Sequence, residues 1–123
     1  MAVRSHRDLL VWQKAMDLVV TCYALTKSFP DDERFGLTSQ LRRAIVSVPA
    51  NIAEGRGRAM TGAYLNHLSI ASGSLAEVDT HLGVANRLGY ISNETLKQVT
   101  AHLEEVGRML MGLRNSLATG PNS

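Results

Sequence analysis

GLTSQLRRAIVSVPANIAEG, running from Gly36 to Gly55, carries two stripes at once. With a helical period, Leu37, Leu41, Ala44, Ile45, Val48 and Ile52 line one apolar face. Gln40, Arg43, Ser47, Asn51, Glu54 and Arg58 recur at steps of three or four on the opposite side. A solvated helix face mixes Lys and Glu freely, whereas this one is nearly all amide, hydroxyl and guanidinium. Pro49 removes a donor and crowds the carbonyl four residues back. Because the apolar phase carries on to Ile52, a bend between Ile45 and Pro49 is expected rather than a break. Gly55-Arg-Gly-Arg58 then reads either as a plain helix end or as backbone amides and guanidinium groups gathered for a phosphate.

Upstream, a first helix is expected from about Leu9 to Ser28. Trp12, Ala15, Met16, Val19, Cys22 and Tyr23 form its stripe, widened by Val11, Leu18 and Leu25. So broad an apolar arc implies that a second surface is covered by something. Phe29-Pro30 closes this helix, since proline disfavours the helical region for the residue before it. The acidic turn Asp31-Asp32-Glu33 suits the positive end of the helix that follows.

Downstream, Thr61 is expected to cap a third helix. Its Tyr64, Leu68, Ala71, Leu75, Val78, Leu82 and Ala85 alternate in steps of four and three, and Leu88-Gly89 ends it. Ala71, Ser72, Gly73 and Ser74 within it form a small-residue segment expected to permit close approach of a neighbour. Ser92-Asn93-Glu94-Thr95 opens a fourth helix with a heptad seam of Leu96, Val99, Leu103, Val106, Leu110, Leu113 and Leu117. Four helices of roughly 20 to 27 residues on short turns make an all-α, antiparallel up-down-up-down four-helix bundle. One domain, residues 1–117, is expected, with a disordered tail over 118–123.

Composition narrows the function classes. In 123 residues, 45% are apolar and 20% charged, ordinary for a globular domain, while 5% aromatic content gives a β-sandwich little to build from. MAVRSHRD leads into an apolar segment broken by Lys14 and Asp17, unlike a signal peptide or a membrane span. A cytoplasmic protein with no membrane partner is the expectation. Net charge is +2, yet Arg34 to Ala76 holds five arginines against Glu54, a local excess of +4. Such a patch steers anions.

No residue set declares a chemistry. Di-iron bundles need Glu-x-x-His on two helices, and the motif is missing from the sequence. His67 and His81 stand two heptads apart, so no metal site is expected. No Gly-x-Ser-x-Gly turn or P-loop occurs. The lone Cys22 reads as a buried, inert thiol, a reactive one needing a basic, exposed setting. The expectation is therefore no enzyme and no cofactor. What is left is the polar set Arg43, Asn51, Glu54, Arg58, Ser74 and Glu77. It reads as a network between helices or subunits, with Glu54 and Glu77 pairing Arg43 or Arg58. The rival reading puts Arg42, Arg43, Arg56 and Arg58 on nucleic-acid phosphates.

Several runs share a family pattern. They are Leu10-Val-Trp-Gln-Lys-Ala15, Phe29-Pro30 with Glu33, Phe35-Gly36-Leu37, Gln40, Arg42-Arg43, and Ser47-Val-Pro-Ala-Asn-Ile-Ala-Glu-Gly55. Arg58, Leu68-Ser-Ile-Ala71, Gly73-Ser74 and Glu77 complete the set. From about Asp8 to Ile91 the chain resembles the bacterial four-helix bundle proteins encoded in intervening sequences of 23S ribosomal RNA genes. The resemblance implies a homopentamer, and similarity to the accessory variability protein of diversity-generating retroelements, which binds a reverse transcriptase and nucleic acid. The expected function is thus a non-catalytic homo-oligomeric scaffold that binds RNA or DNA, or a nucleic-acid enzyme, through an arginine-bearing face. The alternative is a protein-interaction module with no nucleic-acid role, whose polar stripe is the subunit interface. A third reading, an enzyme completed at subunit junctions, needs a pocket lined by Arg43, Asn51 and Glu54.

Overall fold

The computed structural model describes residues 5–119. Four helices run Leu10–Thr26 (α1), Leu37–Arg56 (α2), Thr61–Arg87 (α3) and Asn93–Ala118 (α4), with 3-10 turns at His6–Asp8 and Asp31–Glu33. No strand occurs among the described residues. Each helix packs on its chain neighbours and α1 closes on α4, while α1 and α3, like α2 and α4, sit on the diagonals. This is an antiparallel four-helix bundle, and its closest pairing is α2 with α3. No helix among the described residues is long and apolar enough to cross a membrane.

Three of the four apolar phases lie where the periodicity puts them. Leu41, Ile45, Val48 and Ile52 of α2, Leu68, Val78 and Leu82 of α3, and Val106 and Leu110 of α4 are buried in one core. The first helix differs. Its buried line is Val11, Ala15, Leu18, Cys22 and Thr26, displaced from the stripe centred on Trp12 and Val19. Trp12, Val19 and Leu25 pack only at the core's edge, and Met16, Val20 and Tyr23 stay exposed. The arc is wider than the two neighbours of α1 can cover.

The helix ends follow local chemistry. Lys27 is the C-cap of α1, ahead of Pro30, so the helix is shorter than expected. α2 runs unbroken through Pro49. Thr61 is the first residue of α3 rather than its cap; Met60 holds the cap position without a side-chain bond. At the far end Gly89 takes φ +82°. The Tyr90 N–H reaches Ala85 O at 2.8 Å and the Gly89 N–H reaches Asn86 O at 3.0 Å, the paired bonds of a Schellman cap. Ser92 accepts from the Thr95 N–H at 3.1 Å to start α4. α4 continues through Ala118, the first residue of the expected tail, and residues 120–123 lie outside the described residues.

Candidate nucleic-acid interface

The reversal between α1 and α2 is held by one carboxylate. Glu33 accepts the Leu37 N–H at 3.2 Å, at the positive end of α2, and the Tyr90 hydroxyl at 2.9 Å. Tyr90 in turn packs on buried Phe29, ring centroids 5.5 Å apart. With Glu33 turned inward, the next two residues face out. Phe35 is 85% exposed, and the Arg34 guanidinium lies 4.7 Å from its ring centroid.

Across this turn α2 supplies two more cations. Arg42 donates from Nε to Thr26 Oγ1 at 2.9 Å and stacks 4.5 Å from the centroid of Tyr23. The Thr26 hydroxyl in turn donates a hydrogen bond to Tyr23 O at 2.9 Å, so the end of α1 and the guanidinium orient one another. Arg43, one residue on, is exposed. These side chains and Thr38, Ser39 and Val46 line an open groove of about 510 Å³ with no carboxylate in its wall. No acidic side chain pairs with Arg34, Arg42 or Arg43 among the described residues. Three uncompensated cations and two aromatic rings therefore share one surface.

The other two arginines expected here lie elsewhere. Fourteen residues of helix, about 21 Å, separate Arg42 from Arg56. Arg58 is held by Glu54 at 2.9 Å, which offsets its charge. Arg56 stands beside Tyr64, whose hydroxyl is pushed up by burial and drawn partly back by that guanidinium. The four-arginine set thus divides between the two ends of α2. Nothing in the sequence groups Arg34, Tyr23 and Phe35, although Phe35 carries a signal: a large apolar residue out of phase with the helix after it.

The polar stripe of α2 is not a solvated back face, because half of it lies in the seam with α3. Ser47 Oγ accepts from Ser74 Oγ and from Asn51 Nδ2, both at 2.9 Å. Asn51 also donates to Ser47 O at 2.9 Å, so its carbonyl accepts from His67 Nδ1–H at 3.0 Å. His67 Nε2 then points to Glu54, 3.9 Å from Oε1. Glu77 pairs with His81 at 3.3 Å on its own helix instead of with an arginine. Arg43 makes no ion pair with Glu54 or Glu77, and His67 is the seam member that the sequence did not single out. No side-chain nitrogen or oxygen buried among the described residues lacks a partner. Gly55 lets this seam close: a Cβ there would lie 2.8 Å from His67 Cβ and 3.0 Å from Tyr64 Cδ1.

This geometry gives four residues of Asn51-Ile-Ala-Glu-Gly55 a role: an amide for His67, a core isoleucine, a carboxylate for Arg58 and a glycine for contact. Over residues 7–112 the chain matches the sequence model of a family described as 23S rRNA-intervening sequence protein. The chain belongs to that family. The matched span takes in both the α1–α2 groove and the α2–α3 seam. The fold is similar to that of a protein of unknown function from the S23 ribosomal protein family of Bacteroides thetaiotaomicron VPI-5482, solved by crystallography. The two superpose with a TM-score of 0.79 at 24% identity, covering 85% of this chain and 98% of that one. No curated protein matches the chain.

Cys22 is fully buried on α1, and burial pushes its thiol up to about 12, a setting that suppresses the thiolate. Among the described residues, no group of three His, Cys, Asp or Glu side chains is gathered as a metal site would require. Arg43 lines the α1–α2 groove, whose wall includes neither Asn51 nor Glu54.

Proposed function

We propose that this member of the family is a non-catalytic, self-associating helical scaffold that binds RNA or DNA in the groove between α1 and α2. The observation that carries the reading is the trio Arg34, Arg42 and Arg43, none of which has a carboxylate partner. A guanidinium without a counter-charge is free to replace a phosphate's counterion, and the released ions drive binding. Arg42 is also fixed in place by Thr26 and Tyr23, which lowers the ordering cost of a contact. Support for self-association comes from Met16 and Val20 of α1 and Met111 of α4, large apolar side chains that the isolated bundle leaves in water.

A second reading, a protein-interaction module without a nucleic-acid role, draws on the exposed Val46 and Phe35 beside the same arginines. Titration of a fluorescent structured RNA and a matched duplex DNA separates the two. The nucleic-acid reading predicts binding that weakens steeply with salt, with a log–log slope of about −0.7 to −0.9 per phosphate contacted. Arg34→Ala with Arg43→Ala should flatten that slope by about two contacts. No binding even at low salt would sink the reading and leave the protein-interaction module.

A further inference from the structure

Phe35 stands apart from the other large apolar side chains. It is the most exposed of them at 85%, and it shares its groove with three arginines as well as with Tyr23 and Val46. Arg34 lies over its ring at 4.7 Å. One face of the ring is thus lent to a guanidinium and the other is open. The position is not slack: the residue before the cation is Glu33, pinned to Leu37 and Tyr90, and Leu37 directly after Gly36 is buried in the core. The turn is thus anchored on both sides of Phe35, whose ring lies at the rim of a groove with three arginines in its wall and no carboxylate.

We infer that the groove takes a single strand of nucleic acid, with one unpaired base stacked on the open face of Phe35 and the flanking phosphates on Arg34 and Arg43. This deepens the function proposed above and rests on it. The chemistry points to a single strand because a duplex hides its base faces in its own stack and offers a lone surface ring nothing to lie on. An unpaired base offers a π-face whatever its identity, so the contact is tolerant of sequence. Arg34 across the ring adds to the platform, since stacked cation and aromatic form one flat layer. Tyr23, under Arg42, is 37% exposed, which leaves Phe35 as the more open ring for a base.

The test compares a short fluorescein-labelled oligothymidylate with a duplex of equal phosphate count, using the full chain and its Phe35→Ala and Phe35→Trp variants. Phe35 is too exposed for its removal to unfold the bundle. Loss of one stacked base weakens single-strand binding by about 5- to 150-fold in Phe35→Ala. The salt slope should stay unchanged because no charge is lost, and Phe35→Trp should restore the affinity. Equal binding of strand and duplex, with both indifferent to Phe35→Ala, overturns the inference while nucleic-acid binding itself stands. Absence of binding to either probe overturns both. If Phe35→Ala abolishes self-association and leaves single-strand affinity intact, the ring belongs to a subunit contact and the inference fails.

Discussion

Replacing Gly55 with alanine should destabilise the protein, against the usual rule for a helical glycine. In an open helix the change gains up to about 1 kcal/mol, because alanine loses less backbone entropy on folding. At Gly55 the new Cβ meets His67 Cβ at 2.8 Å, Tyr64 Cδ1 at 3.0 Å and Tyr64 O at 3.3 Å. Two of these atoms are a Cβ and a backbone oxygen, which cannot swing aside as a side-chain tip would. Relief requires α2 and α3 to part, and parting stretches the 3.0 Å bond between Asn51 and His67. Overpacking of this sort costs about 1–3 kcal/mol, and the propensity gain is small one residue from the helix end. The net loss is about 1–3 kcal/mol, or about 4–12 °C in melting temperature for a domain of this size. Gly73→Ala is the internal control: it lies mid-α3 with nothing within 4 Å of its added Cβ, and should stabilise by about 0.5–1 kcal/mol. Urea unfolding followed by circular dichroism reads both. Gly55→Ala as stable as the parent would refute the close approach at the α2–α3 seam.

The remaining expectations concern buried and hydrogen-bonded groups. Cys22 should resist thiol reagents in the native protein at about pH 8 and react at the rate of unfolding, checked by labelling with and without denaturant. Its thiol rises from the ordinary 9.0 to about 12 in the fold, so the neutral form is the native one. Stability from this source is complete below pH 9.0 and falls by about 4 kcal/mol as pH approaches 12, at 1.36 kcal/mol per pH unit. A Cys22→Ala protein should lack that alkaline fall. Tyr90 titrates above its ordinary 10.0, first because its hydroxyl donates to Glu33 and then because of burial and the charges of Glu33 and Asp32. Here too the folded state holds the proton longer, so this contribution is present below pH 10.0 and lost above it. Tyr90→Phe should therefore show a flatter alkaline decline in urea midpoint than the parent, and an identical decline would discount the bond.

How much of this was legible depends on the range over which each feature is decided. The phases of α2, α3 and α4 are local, and every residue that alternates in steps of three and four on α3 is buried. On α1 the apolar arc exceeds its contact surface, and periodicity cannot choose which part of a broad arc meets two neighbours. The buried line therefore fell on Val11, Ala15, Leu18 and Cys22 while Met16 and Tyr23 stayed outside. The polar stripe was readable by residue type but not by partner. Asn51 bonds a histidine 16 residues away and Ser47 a serine 27 away, separations that no helical period encodes. Arg42 was recognisable as a cation, but its seat on Tyr23 depends on how two helices dock. Glu33 was the exception, since an acidic residue just before a helix needs only the helix to find its use.

The claim that matters most is location, and it can be mapped residue by residue. Backbone amide and arginine Nε chemical shifts would be followed by NMR as oligonucleotide is added. Binding in the groove predicts movement at Arg34, Phe35, Thr38, Arg42 and Arg43, and little at Ser47, Ser74 or His67 in the seam. Shifts confined to Arg56, Arg58 and the start of α3, with the Arg34–Arg43 segment still, would contradict the account and move the interface to the far end of α2.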